Sequence, residues 1–110
     1  MDAQQIVIKK AGGPETLSVE SAAVPEPGPG EVQVEVHAAG INFADILARQ
    51  GLYPDAPPLP AVVGYEVSGV VSSQGPGLDE DFAGRELVGL TRFGGHSSVV
   101  HVPAAQLFDK

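Results

Sequence analysis

From Glu31 to Ala39 the chain reads EVQVEVHAA, its most regular alternation. Val32, Val34 and Val36 fall on one side; Glu31, Gln33, Glu35 and His37 fall on the other. A period of two residues marks a half-buried antiparallel strand. Such a strand needs partners on its edges and an apolar cover, because a lone hairpin does not sustain a core. The rest of the chain offers them. QQIVIKK and TLSVESA read as two strands joined by a GGPE turn, and YEVSGVVSSQG, RELVGLTR and GGHSSVVHVP read as three more. AAQLF follows as a turn or short helix. The 14 glycines and 10 prolines lie between these runs and are not periodic. They punctuate a many-stranded domain with tight connections. The expected fold is mainly β, a small, partly open antiparallel barrel with one or two short helices. Its expected core joins Ile6, Val32, Val34, Val36, Val70 and Val88.

One segment breaks the alternation. In GINFADILARQGLYP, residues 40–54, Phe43, Ile46, Leu47 and Gln50 recur at helical spacing. Asn42 is a good N-cap residue, with Asp45 three positions on completing a capping-box pattern. Gly51 stands where a helix stops. The predicted helix, Asn42 to Gln50, is too short to be stable alone. YPDAPPLPAVVG can only be an extended loop.

Composition narrows the partners. Six basic residues face 14 acidic ones, for a formal charge of −8. Nucleic-acid binding rests on clustered Lys and Arg, so this chain is a poor candidate. It also lacks a basic patch for an anionic membrane. There is no cysteine, which excludes a disulfide scaffold, a thiol nucleophile and a thiolate zinc site. The N-terminus does not read as a secretory signal, and no apolar run approaches the ~20 residues of a membrane span. The expected compartment is the cytoplasm.

Taken in order, GGPETLSVES, VPEPGPGEVQVEVHAAGINFADILARQGLYP and LPAVVGYEVSGVV resemble the N-terminal, GroES-like catalytic domain of the medium-chain dehydrogenase/reductase superfamily. The likeness spans nearly the whole chain and is strongest to the zinc-free quinone oxidoreductase branch, near the vesicle amine transport protein homologues. Zinc-dependent members have a ligating Cys where this chain has Asn42, and a ligating His where it has Tyr65 in Gly64-Tyr65-Glu66. Neither replacement is a usual zinc ligand, and His37, His96 and His101 are too dispersed to substitute. The expectation is no metal.

The resemblance implies reduction of a quinone or an α,β-unsaturated ketone by hydride from NADPH. It implies that Asn42 contacts the cofactor and that Tyr53 acts in catalysis beside the reacting group. A second tyrosine found within this helix in some bacterial quinone reductases is Leu47 here. By residue type alone, Asn42 and Asp45 also serve as helix caps, and Tyr53 as an amphipathic residue closing the helix against the proline loop.

No strand–turn–helix with a dinucleotide-binding glycine pattern occurs: GGPE, GPGE and GPGLDED lack its context. Residues 1–110 are therefore expected to be the N-terminal catalytic domain of a longer reductase, with NADPH held mainly by a Rossmann domain outside this chain. The resemblance further implies a homodimeric parent. A non-catalytic GroES-like binding or assembly module is the alternative.

Overall fold

The computed structural model describes residues 1–109. They form seven strands, one α-helix and two 3-10 turns. Strands β1 (Asp2–Ile8) and β2 (Leu17–Ala23) make an antiparallel hairpin. A five-stranded antiparallel sheet runs in the order β6-β3-β4-β5-β7. Its members are β3 (Glu31–Ala39), β4 (Glu66–Gln74), β5 (Glu86–Leu90), β6 (Val99–Pro103) and β7 (Leu107–Asp109). Single bridges, Gln5 with Ser97 and Ile8 with Ala61, tie the hairpin to the rest. The sheets stay open and do not close into a barrel, as expected for the mainly β, partly open form.

The alternation of β3 places it at the centre of the larger sheet, between β4 and β6. Residues directly opposite on antiparallel strands share a face. Val32 faces Val102, and Val34 faces both Val71 and Val100. These join Val67, Phe82 and Leu87 in one buried cluster, with Val36 packed at its margin.

The expected core is corrected at three positions. Ile6 is 38 % exposed, and Val70 and Val88 are only half-buried. Their neighbours Val71 and Leu87 are buried instead. A register shift between Gln33 and Val34 sets the phase. Both phases of β4 carry valine, so local pattern does not choose between them; a one-residue slip exchanges the faces. Gly69 lies within this irregular stretch, where a Cβ would run into the Glu35 carbonyl. Gln33, expected on the polar face, is 8 % exposed. Its amide nitrogen donates to Ser72 Oγ at 3.1 Å, and its amide oxygen meets His101 Nε2 at 3.2 Å.

Candidate functional site

Helix α1 (Phe43–Gln50) begins at Asn42, as the sequence predicts, and its C-cap is Gly51, with a φ of 77°. The Asn42 N–H donates to Asp45 Oδ2 at 2.9 Å, and the Gly51 N–H donates to the Ala48 carbonyl at 3.1 Å. The apolar face inferred from spacing is inverted. Phe43 is 72 % exposed and Ile46 38 %, whereas Asp45 and Ala48 are buried. The helix is too short to dictate its own rotation. Two contacts set it: the Asp45 carboxylate turns inward to hold the cap, and Ala48 packs on Ile8 and Val63.

The loop after α1 is pinned from both sides. Ile8 and Ala61 exchange backbone hydrogen bonds of 2.8 and 3.1 Å. The Gly94, Gly95 and His96 N–H groups donate to the carbonyls of Val62, Gly64 and Val63 at 2.9–3.1 Å. Thr91 Oγ1 donates to the Gly64 carbonyl at 2.6 Å. This clamp delivers Tyr65 to the start of β4. The Tyr65 ring meets Phe93, with centroids 5.8 Å apart and planes at 50°. Tyr53 and Phe93 both pack on the Ile8–Ala48–Val63 cluster. Burial, followed by the influence of Tyr53, pushes the Tyr65 phenol up to about 12; the negative charges of Asp45 and Asp55 add to it.

On the other side of Asp45 lies a cleft of about 480 Å³, open between the β1–β2 hairpin and α1. Its walls include Ile6, Leu17, Ile41 and Ile46, and its polar end includes Asp45, Arg49 and His96. His96 Nε2 lies 2.9 Å from the Gly40 carbonyl and 3.7 Å from Asp45 Oδ2. A carbonyl only accepts, so this ring nitrogen carries the proton. Asp45 Oδ1 and Arg49 Nε are buried without a hydrogen-bond partner.

Asn42 and Tyr53 stand at opposite ends of α1, both half-buried, and neither lines that cleft. Tyr53 instead packs beside Phe93 on the Ile8–Ala48–Val63 cluster. Asn42 is linked to the same region through Asp45, whose carboxylate accepts from its N–H and whose charge acts on Tyr65. Sequence reasoning missed the burial of Asp45, which resembled an ordinary exposed cap, and the packing of Tyr65 on Phe93. The available signal for Tyr65 was its place at the zinc enzymes' histidine position.

The donor set does not suit zinc. The two ligand positions hold an amide and a phenol that ionises only with difficulty. Among the described residues no three His, Cys, Asp or Glu side chains gather to hold a metal. A pyrophosphate cradle does not fit at α1 either: its first turn already faces the Asp45 carboxylate, which would repel phosphate. Among the described residues no helix is long and apolar enough to cross a membrane.

The alcohol dehydrogenase GroES-like domain family matches residues 28–110. The synaptic vesicle membrane protein VAT-1 homolog of Rattus norvegicus is 43% identical over 105 residues, covering 94% of this chain and 26% of that protein. The quinone oxidoreductase of Salmonella typhimurium is 44% identical over 103 residues, 93% of this chain and 31% of that protein. Among solved structures, Escherichia coli quinone oxidoreductase complexed with NADPH superposes with a TM-score of 0.89 at 38% identity, covering 96% of this chain and 32% of that one. The human synaptic vesicle membrane protein VAT-1 homolog-like protein gives a TM-score of 0.94 at 30% identity, covering 99% and 35%. The chain thus spans about a quarter to a third of the length of these relatives.

Proposed function

This chain belongs to the alcohol dehydrogenase GroES-like domain family, and we propose that it is the substrate-side domain of a zinc-independent, NADPH-dependent oxidoreductase that reduces quinones or α,β-unsaturated ketones. The observation that carries the reading is the placement of Asn42 and Tyr53 at the two ends of one capped helix, with Tyr53 packed beside Phe93 on the Ile8–Ala48–Val63 cluster. The likeness to quinone oxidoreductases, one of them complexed with NADPH, supports it.

A reduced nicotinamide, when bound, supplies the hydride. Asn42 would hold its amide or ribose end, and Tyr53 would face the substrate oxygen. As hydride adds to the β-carbon, the double-bond electron pair moves toward the conjugated oxygen. A donor already aimed at that oxygen lowers the barrier, and removing one such donor costs about 2.7–4 kcal/mol elsewhere. Tyr53 is that donor, giving its proton to the oxygen or the carbon it activates. No charged metal is needed in this scheme.

In this reading residues 1–110 are one catalytic domain of a cytoplasmic, homodimeric parent enzyme whose Rossmann domain lies outside the chain and holds the phosphates. The isolated chain binds NADPH weakly or not at all. A second reading, an assembly module without catalysis, draws on the exposed Ile41 and Phe43, 77 % and 72 % accessible.

Tyr53→Phe in the complete protein separates the two. The catalytic reading expects kcat and kcat/KM to fall together, with cofactor affinity nearly unchanged. Unchanged turnover on several quinones and enones would remove Tyr53 from the mechanism. Elemental analysis of protein purified without added metal is expected to find no stoichiometric zinc; zinc lost on changing Tyr65 would refute the donor argument.

A further inference from the structure

We propose that His96 is a positioning residue for Asn42: its ring N–H holds the Gly40 carbonyl and so fixes the short link that presents Asn42 to the cofactor. The inference rests on the reading that Asn42 contacts the cofactor. It adds to that reading a side chain from far along the sequence, since the bond joins residues 56 positions apart.

Asn42 reaches its place through two residues, Gly40 and Ile41, which lead from the end of β3 at Ala39 to the cap of α1. Ile41 does not anchor this link, because its side chain is 77 % exposed. Gly40 has no side chain to do so, and a Cβ there would run into Glu66. The link is therefore held by its backbone. The Gly40 N–H donates to the Glu66 carbonyl at 3.1 Å, which fixes the peptide plane before Gly40. The Gly40 carbonyl belongs to the next plane, and glycine restrains that plane least of all residues. His96 Nε2, 2.9 Å from this carbonyl, sets its direction. Beyond it, the Asn42 N–H donates to Asp45 Oδ2 at 2.9 Å, and the Asn42 carbonyl accepts from the Asp45 N–H at 3.0 Å. Asp45 thus ties Asn42 to the helix, and His96 ties the approach to the rest of the fold.

His96 is itself firmly placed. Its N–H donates to the Val63 carbonyl at 2.9 Å, and its carbonyl accepts from the Ile6 N–H at 3.0 Å. Its side chain is 16 % exposed. Gly64 leaves room for the ring: a Cβ there would come within 2.7 Å of His96 Cδ2. Asp45 Oδ2 is 3.7 Å from Nε2, too far for a hydrogen bond, yet its charge favours the N–H end of the ring facing it. An imidazole with its proton on Nε2 donates there whether the ring is neutral or charged. Contacts made from a backbone fixed beforehand bind more tightly, because less freedom is lost on binding.

Titration of the complete protein with NADPH is the test. His96→Phe keeps a planar ring and removes the donor; His96→Gln places an amide nitrogen near Nε2 and keeps one. His96→Phe should raise the NADPH Kd about two- to tenfold, the worth of one hydrogen bond, and His96→Gln should stay within about twofold of wild type. His96→Asn, whose shorter amide does not reach Gly40, should behave like His96→Phe and serves if the phenylalanine variant does not fold. In the Asn42→Ala background all three should bind alike. Without cofactor, exchange of the Asn42 N–H should be faster in His96→Phe than in His96→Gln. Wild-type affinity in both His96→Phe and His96→Asn, or an equal loss in His96→Gln, would overturn the inference and leave the Asn42 contact standing. So would a loss that persists in the Asn42→Ala background. Wild-type affinity in Asn42→Ala would instead overturn the reading on which the inference depends.

Discussion

The five-stranded sheet and the region around α1 treat their buried side chains in opposite ways. In the sheet, Val32 and Val102 are fully buried, and Val34, Val71 and Leu87 are 1 % exposed. Its one buried amide side chain, Gln33, has partners at both ends. Around α1 the pattern reverses. Apolar Ile41 and Phe43 face outward, while Asp45 Oδ1 and Arg49 Nε are buried without partners. Burying polar atoms unpaired costs free energy, so that region does not maximise stability. The sheet supplies the stability on which the α1 region relies.

Substitution at the sheet should give the largest effect. Leu87→Ala deletes a fully packed side chain and should cost about 2–5 kcal/mol, read as a lower urea midpoint. It should leave the raised Tyr65 midpoint unchanged. If both shifted together, the two regions would not be separable.

Asp45→Ala is the next test, with an expected loss of about 0.5–2 kcal/mol for the missing cap acceptor. Asp45→Asn keeps an acceptor oxygen and removes the charge, and should cost less. Because Asp45 acts on Tyr65, both changes should lower the Tyr65 midpoint. The absence of that shift would disconnect the cleft side from the tyrosine side.

Alkaline stability sharpens the comparison further. The folded chain holds the Tyr65 proton up to about 12, against 10.0 for an ordinary tyrosine. Between these values the folded state binds more protons than the unfolded one, so stability falls as pH rises. The contribution is intact below about pH 10 and lost as pH passes through about 12. Tyr65→Phe should flatten that part of the denaturation profile; an equally steep profile would assign the slope to other groups.

The smallest effect is expected on the hairpin surface. Lys9 Nζ lies 3.0 Å from Glu20 Oε2, with both side chains well exposed. Lys9→Ala should cost less than about 1 kcal/mol, and less still at high salt. A larger loss would show that the hairpin is more tightly coupled to the core than its two bridges suggest.

The sequence by itself determined the strands, the turns and the helix limits. Alternation in EVQVEVHAA, the spread of proline and glycine, Asn42 with Asp45, and Gly51 are signals that act within a few residues. It also determined that no thiolate could ligate a metal, since there is no cysteine. Only the tertiary structure decided which phase of β4 and β5 is buried. Apolar residues occur in both phases, and the choice came from a register shift in a neighbouring strand. Only the tertiary structure turned Asp45 inward and Phe43 outward, because the rotation of so short a helix is set by what it packs on. The approach of Tyr65 to Phe93 is of the same kind: β4 and β5 separate them in sequence, and hydrogen bonds between residues 62–64 and the 94–96 turn bring them together. Local patterns specify what each segment is; contacts between segments distant in the chain specify which side chains face one another.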